Sequence, residues 1–325
     1  MSTTIPGTRQ APWAFAAPWG ASGFVTDLEG PVHWIEFEGT GEPAPVVGPP
    51  QTPIVFVHGL GGSHLNWCLI GPQLAAGRRA VALDLHGFGL TPGTRADSTV
   101  QRNTRLLERF IREVVGTPVI LAGNSMGGLI SIMQASAAPE MVRGLVLVDP
   151  ALPVPLSRPD RQVGSQFLLY SVPGLGELYL RRVLGRRSPQ VAVQQVIELC
   201  FADPSRADPA MVTASVALAA ERQAHPAGAG PAAFLAASRS LMRVVGPRRR
   251  YQEMMASVRV PVLLIAGDAD RLVPVASTRQ AAARNPGWET VILPGVGHTP
   301  QLEVPDQVTG TIQDWLGRHF APAAG

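Results

Sequence analysis

The chain has 325 residues, enough for one large domain or for a domain carrying an insertion, and 46% of them are apolar, ample material for a sizeable core. Its basic residues are 27 arginines with no lysine, and its two cysteines, Cys68 and Cys200, make neither a disulfide framework nor a metal-spaced cluster. The net charge of +3 is unevenly spread: residues 151–259 hold 14 Arg against seven acids, the rest is net −4, and no aromatic residues interleave with the arginines, which excludes an RNA-binding pattern and sets nucleic acid aside as a partner.

Residues 1–20 lack a basic segment leading into an apolar run, and Pro12 and Pro18 interrupt what apolar character there is, so an irregular arm rather than a signal peptide is expected. No stretch of 18 apolar residues occurs, so no spanning helix is expected and a cytoplasmic setting is the default. Gly23–Leu28 and Val32–Glu38 read as short strands joined at Glu29-Gly30-Pro31, and the Pro- and Gly-rich segment 39–52 as loop. Pro53–Val57 is an apolar strand followed at once by His58-Gly59-Leu60-Gly61-Gly62, with Ser63 or Asn66 placed to cap the next helix. Arg79–Asp84 is a strand, Asp97 or Ser98 opens a helix to about Val115, and strands begin again at Pro118 and Leu145.

Alternating strands and helices imply βαβ units and a parallel sheet. The alternation stops between Ala151 and Arg259, where the pattern is helical fragments: Val163–Tyr170, Gly176–Leu184, Gln190–Cys200, Pro209–Gln223 and Pro231–Val245. It resumes with a strand at Val262–Ala266, a helix near Ala276–Arg284, a strand at Glu289–Leu293 and a helix near Asp306–Phe320. The expected fold is α/β: a mostly parallel, roughly eight-stranded sheet flanked by helices, with residues 1–150 and 260–325 forming the core domain and 151–259 a helical cap inserted after the sixth strand.

The sharpest chemical signal is PVILAGNSMGGLISIM, residues 118–133. A buried strand turns through Gly123-Asn124-Ser125-Met126-Gly127 into a helix, the setting that gives G-x-S-x-G meaning. The glycines leave room where strand and helix meet, and Ser125 sits at a strained apex beside the bare N–H groups of the new helix. A serine hydroxyl needs a base within hydrogen-bond reach, and the base needs a partner that holds its tautomer. Both residue types follow the last two strands: GDADRLVP (267–274) offers Asp268 and Asp270, and GVGHTP (295–300) offers His298. Asp149, at the end of the sixth strand, is a further carboxylate in the right neighbourhood. His33, His225 and His319 have no motif around them, His64 and His86 read as bystanders on their loops, and no cluster has metal-ligand spacing.

HGLGG (58–62), DLHGFG (84–89), GNSMGG (123–128), GDADRLVP (267–274) and GHTPQLEVP (297–305), in this order, resemble the α/β-hydrolase superfamily, in its capped, esterase- and lipase-like branch. The resemblance covers roughly residues 50–320 less the insertion. It implies Ser125 as nucleophile, His298 as general base and acid, Asp270 as the orienting carboxylate by the G-x-x-D-x-x-V-P spacing, and the backbone N–H groups of Leu60 and Met126 as an oxyanion hole. It leaves Asp268 to hold its own loop, Asp149 a structural place, and His58 the task of bracing the oxyanion loop.

A serine at the elbow argues against the dehalogenase and epoxide hydrolase relatives, which carry aspartate there. It implies acyl transfer to water from a hydrophobic carboxylic ester, without cofactor or metal. C–C bond hydrolysis of ring-cleavage dienoates is the alternative, though Thr299 stands where those relatives place a tryptophan. A cofactor-free perhydrolase or a non-catalytic ligand-binding member are further readings. From the cap, Phe167, Tyr170, Leu175, Leu178, Phe234 and Met242 are expected to line an acyl pocket. Arg181, Arg182, Arg186, Arg187 and Arg248–Arg250 make the cap basic, an ordinary solvated face or one drawn to anionic substrates or a lipid surface. The sequence fixes no oligomeric state between monomer and dimer.

Overall fold

The computed structural model of the chain describes residues 5–39, 51–153, 170, 174–180, 182, 187–224 and 230–320. Nine strands form one sheet: β1 (Thr8–Gln10), β2 (Ala21–Asp27), β3 (Pro31–Phe37), β4 (Gln51–Val57), β5 (Arg78–Leu83), β6 (Val119–Asn124), β7 (Val142–Val148), β8 (Val262–Gly267) and β9 (Glu289–Leu293). Their order across the sheet is β1-β2-β3-β5-β4-β6-β7-β8-β9. The first three are antiparallel to one another and β3 is antiparallel to β5, while β5 through β9 run parallel. The ninth strand is β1, one half-buried and two exposed residues inside the stretch expected to be an irregular arm.

The central strands show why apolar runs, rather than alternation, mark them. Side chains alternate faces with period two, and here both faces are covered. Val55, Val57, Leu121, Leu145 and Leu147 join one core, while Ile54, Phe56, Ile120, Val146 and Val148 join the other. On the first face pack α2 (Val100–Phe110, ending in a wider turn through Val115) and α3 (Met126–Ala137). On the second lie Trp67, α1 (Gly71–Leu74) and α11 (Pro305–Phe320), the last burying Val308, Ile312 and Trp315. Fully burying such a side chain contributes about 1.5–3 kcal/mol. Ser63 and Asn66 both serve the turn after β4: the Asn66 side chain accepts the Ser63 N–H at 2.9 Å and the Ser63 hydroxyl accepts the Leu65 N–H at 3.3 Å. The cap of α2 is Thr99, one or two residues beyond the expected start.

Between β7 and β8 the chain forms α4 (Leu175–Tyr179), α5 (Pro189–Cys200), α6 (Pro209–Ala224), α7 (Gly230–Val245) and α8 (Arg248–Ser257). Ser188 and Asp208 cap α5 and α6 through the Val191 and Met211 N–H groups. The expected helix at 163–170 lies outside the described residues apart from Tyr170. One helix of this stretch behaves differently: α8 drives Tyr251 and Met255 into the core of the sheet's own layers, and the Tyr251 hydroxyl donates to the Ala151 carbonyl at 2.7 Å. Two shorter helices, α9 (Val275–Arg284) and α10 (Pro300–Glu303), complete the set. No helix among the described residues is long and apolar enough to cross a membrane.

Candidate active site

All five motif loops leave the C-terminal ends of β4, β5, β6, β8 and β9, which in a parallel sheet lie along one edge. Ser125 sits on the turn from β6 into α3 with φ 53° and ψ −117°, a region that costs a non-glycine residue about 1–3 kcal/mol. The conformation is held from several sides. The Val148 carbonyl accepts the Ser125 N–H at 3.1 Å and the Asn124 side-chain amide at 3.0 Å, and the Ser125 carbonyl accepts the Ala151 N–H at 2.9 Å. The glycines are steric requirements. A Cβ on Gly127 would stand 2.0 Å from the Val57 carbonyl oxygen, and one on Gly123 would stand 2.5 Å from the Gly127 oxygen.

His298, after β9, places Nδ1 2.6 Å from Asp270 Oδ2, and both side chains are buried. The other Asp270 oxygen accepts the Leu272 and Val273 N–H groups at 2.7 and 3.0 Å, which fixes the carboxylate. Asp268, two residues earlier, is exposed and accepts the Gly295 N–H at 2.7 Å, so it holds the loop rather than the imidazole. The His298 backbone is also fastened: its N–H donates to the Cys200 carbonyl at 2.6 Å, and its carbonyl accepts the Asn124 amide at 3.1 Å.

Asp149 ends β7, the neighbour of β8, with φ 39° and a fully buried carboxyl. Oδ2 accepts the Gly267 N–H at 3.1 Å. Burial first, then the nearby Asp270 charge, raises its pKa well above the usual carboxylate range.

Leu60 lies on the turn after β4, and a Cβ on Gly59 would come within 3.1 Å of the Ser125 Cβ, so this loop runs directly against the elbow. His58 braces it from beneath: Nδ1 donates to the Gly59 carbonyl at 2.8 Å and Nε2 accepts the Leu85 N–H at 3.0 Å. Burial lowers its pKa to about 4, which keeps it neutral. Met126 buries its side chain and, as the first residue of α3, carries an N–H with no intrahelical acceptor.

Ser125 and His298 open on one cavity of about 1290 Å³ roofed by the helices between β7 and β8. Leu60, Tyr170, Phe234 and Met242 are in its wall. Leu175 and Leu178, expected there, are 53% and 45% exposed and stand outside it. The reason is the seating of α4. Arg239 of α7 grips Glu177 with two hydrogen bonds of 2.8 and 3.1 Å, and Gly176 and Leu180 turn inward, which leaves the two leucines facing solvent. Phe167 lies outside the described residues, as do Arg181 and Arg186. Of the other cap arginines, Arg187 and Arg248 reach the cavity wall, whereas Arg249 is exposed and pairs with Glu253 at 2.9 Å.

Two groupings escaped sequence reasoning. Glu303, inside GHTPQLEVP, is buried and accepts four donors: the N–H groups of Gly297 (2.7 Å), Ala202 (3.1 Å) and Asp203 (3.0 Å), and Arg206 Nη1 (3.1 Å). It ties the His298 loop to the chain between α5 and α6. The second is His33, His64 and Asp84, the one trio of close potential metal ligands among the described residues. Asp84 takes His33 Nδ1 at 2.8 Å, His64 Nδ1 at 2.9 Å, and the N–H groups of His64 and Leu90 at 2.7 and 2.8 Å. Burial opposes its ionisation, yet the His64 charge and these bonds outweigh it and hold its pKa well below the usual range. A carboxylate so fully engaged is the internal anchor of the β4 and β5 turns.

Residues 54–311 match the model of the alpha/beta hydrolase family, and the chain belongs to that family. It is 27% identical, over 94% of its length and 75% of the other protein's, to the dihydrolipoyllysine-residue acetyltransferase component of an acetoin cleaving system from Pseudomonas putida. It is 25% identical to a 2-hydroxy-6-oxo-6-(2'-aminophenyl)hexa-2,4-dienoic acid hydrolase from Metapseudomonas resinovorans, over 82% of this chain and 84% of that one. It is 29% identical to a pimeloyl-[acyl-carrier protein] methyl ester esterase from Edwardsiella ictaluri, over 78% and 88%.

Proposed function

We propose that the protein is a serine hydrolase that cleaves hydrophobic carboxylic esters through an acyl-enzyme. The observation that carries this reading is the 2.6 Å bond between His298 Nδ1 and Asp270, with His298 and the strained Ser125 opening on the same largely apolar cavity. With Nδ1 engaged, Nε2 is the nitrogen left to take the Ser125 proton as Oγ adds to the ester carbonyl. The imidazolium then returns that proton to the departing alkoxide, and water repeats the sequence on the acyl-enzyme. The N–H groups of Met126 and Leu60 receive the oxyanion, and losing one such donor typically lowers kcat by about 10²–10³-fold. The chemistry calls on no cofactor. The helices between β7 and β8 serve as the cap that shapes the substrate site. The relative named as a methyl ester esterase supports the ester; the one named as a dienoic acid hydrolase keeps C–C cleavage as the reading to be tested beside it.

A panel of 4-nitrophenyl esters of graded chain length, run beside a ring-cleavage dienoate, tests the proposal with Ser125→Ala as control. Ester turnover abolished in Ser125→Ala, with a fluorophosphonate attached at Ser125 of the wild type, is the expected result. Dienoate cleavage far exceeding ester cleavage would replace the ester by a C–C bond, and an unlabelled Ser125 with no turnover of either would overturn the enzyme reading.

A further inference from the structure

The cavity wall carries six charged side chains: Arg187, Arg222, Arg248, Arg271, Glu198 and Asp208. Both carboxylates are engaged locally. Glu198 accepts the Gln194 amide at 3.0 Å on the exposed side of α5, and Asp208 caps α6. Arg187 donates to Gln195. Arg222 differs. It stands in the last turn of α6, where a cation suits the helix end, but its side chain turns into the wall instead of out to water. Among the described residues its guanidinium meets one acceptor, the Gly87 carbonyl, at 3.4 Å. A guanidinium has five N–H donors, and on this half-buried arginine, which lines the cavity, most of them are open to a ligand there. Burial lowers its pKa, partly offset by the Asp84 charge. The bond to Gly87 places the guanidinium at the turn that follows β5, on the same cavity as Ser125.

We infer that Arg222 is a specificity-determining residue that binds a carboxylate carried by the substrate, so that the preferred substrate is a hydrophobic ester with a second, free acid group. This rests on the hydrolase reading above. The planar fork of a guanidinium pairs two N–H groups with two carboxylate oxygens, a fit a neutral chain end does not offer. The apolar lining of the cavity that Ser125 and Arg222 share then takes the hydrocarbon that joins ester and acid, and low polarity around the ion pair strengthens it.

The experiment uses two nitrophenyl esters with the same eight-carbon acyl chain, mono-4-nitrophenyl suberate and 4-nitrophenyl octanoate. The readout is the ratio of their kcat/KM values in wild type, Arg222→Met and Arg222→Lys. The wild type favours the acid ester, Arg222→Met lowers the ratio by about 10–100-fold, the worth of one charged hydrogen-bonded pair, and Arg222→Lys restores part of it. A ratio unmoved by Arg222→Met, with both esters slowed alike, would make Arg222 a structural residue and overturn the inference while leaving the hydrolase intact. Binding is read separately in Ser125→Ala, as the rise in Tm with monomethyl suberate against methyl octanoate. A rise specific to the acid and lost in Ser125→Ala/Arg222→Met supports the subsite even if no ester is turned over, and in that case the hydrolase reading alone fails. Equal rises for acid and neutral ester would count against the subsite.

Discussion

Asp149 and Asp270 end neighbouring strands and share one buried corner, yet only Asp270 reaches His298. The difference between them predicts a pH dependence. An unfolded aspartate ionises near pH 3.9. The folded Asp149 keeps its proton well above that value, because burial and the Asp270 charge oppose ionisation. Between those two values the native state holds a proton that the unfolded chain has lost, so rising pH lowers stability through this group. Asp149→Asn removes the linkage while retaining an oxygen for the Gly267 N–H and a donor toward Asp270. Its Tm is expected to match or trail wild type at pH 4 and to gain on it as pH rises above that. Melting curves that shift in parallel would mean that Asp149 is ionised in the native protein. At this scale the sequence was most legible where a candidate site residue lies on the loop that leaves a strand, as Ser125, Asp270 and His298 do after β6, β8 and β9. It was least legible for side chains whose partners are distant: His33 and Asp84 are 51 positions apart, and nothing local to His33 announces the bond.

Elements explain why the reactive residues stay placed. The crossing of β4 and α3 is so close that Gly127 has no room for a methyl group against the Val57 carbonyl. Gly127→Ala is expected to cost more than the roughly 1–3 kcal/mol of ordinary overpacking, because the obstacle is backbone, and soluble yield with urea denaturation checks it. Glu303 fastens the His298 loop to the segment after α5 through three backbone N–H groups and Arg206. Leaving a buried donor without its acceptor typically costs about 1–3 kcal/mol. Glu303→Ala should therefore lower the urea midpoint sharply and slow ester turnover, with Glu303→Gln falling between it and wild type; an unchanged midpoint would refute the clamp. Helix α8 shows where patterning misleads at this scale. It opens Arg248-Arg249-Arg250, which reads as a solvated face, but Tyr251 and Met255, four apart, form an inward stripe too narrow to outweigh those charges in the sequence pattern. Strand β1 is missed for the opposite reason, since Thr8–Gln10 has no apolar residue at all and is held only by pairing with β2.

The whole molecule divides its work between a sheet edge that sets the chemistry and the helices over it that set the shape of the cavity. Motifs made the first legible; the second is built from sparse contacts between helices, which is why Leu175 and Leu178 were expected inside and are found outside. What the helices enclose is a space of about 1290 Å³, several times the volume of an eight-carbon chain, and its wall is mostly apolar. Each methylene moved from water into such a wall contributes about 0.8 kcal/mol, close to a fourfold gain. The 4-nitrophenyl ester series from acetyl to octanoyl should therefore show kcat/KM climbing by up to about fourfold per added methylene. Phe234 is the residue expected to set the limit. Its ring packs edge-on to Tyr170 with centroids 5.5 Å apart and would lie 3.5 Å from a Cβ on Gly61, so it bridges the helical roof and the oxyanion loop. Phe234→Ala removes that bridge, and the preferred chain length is expected to move to longer acyl groups, with acetyl ester turnover affected least. A flat chain-length profile in wild type, or an optimum that Phe234→Ala leaves in place, would mean that the acyl chain does not enter this cavity and that the space holds the leaving group instead.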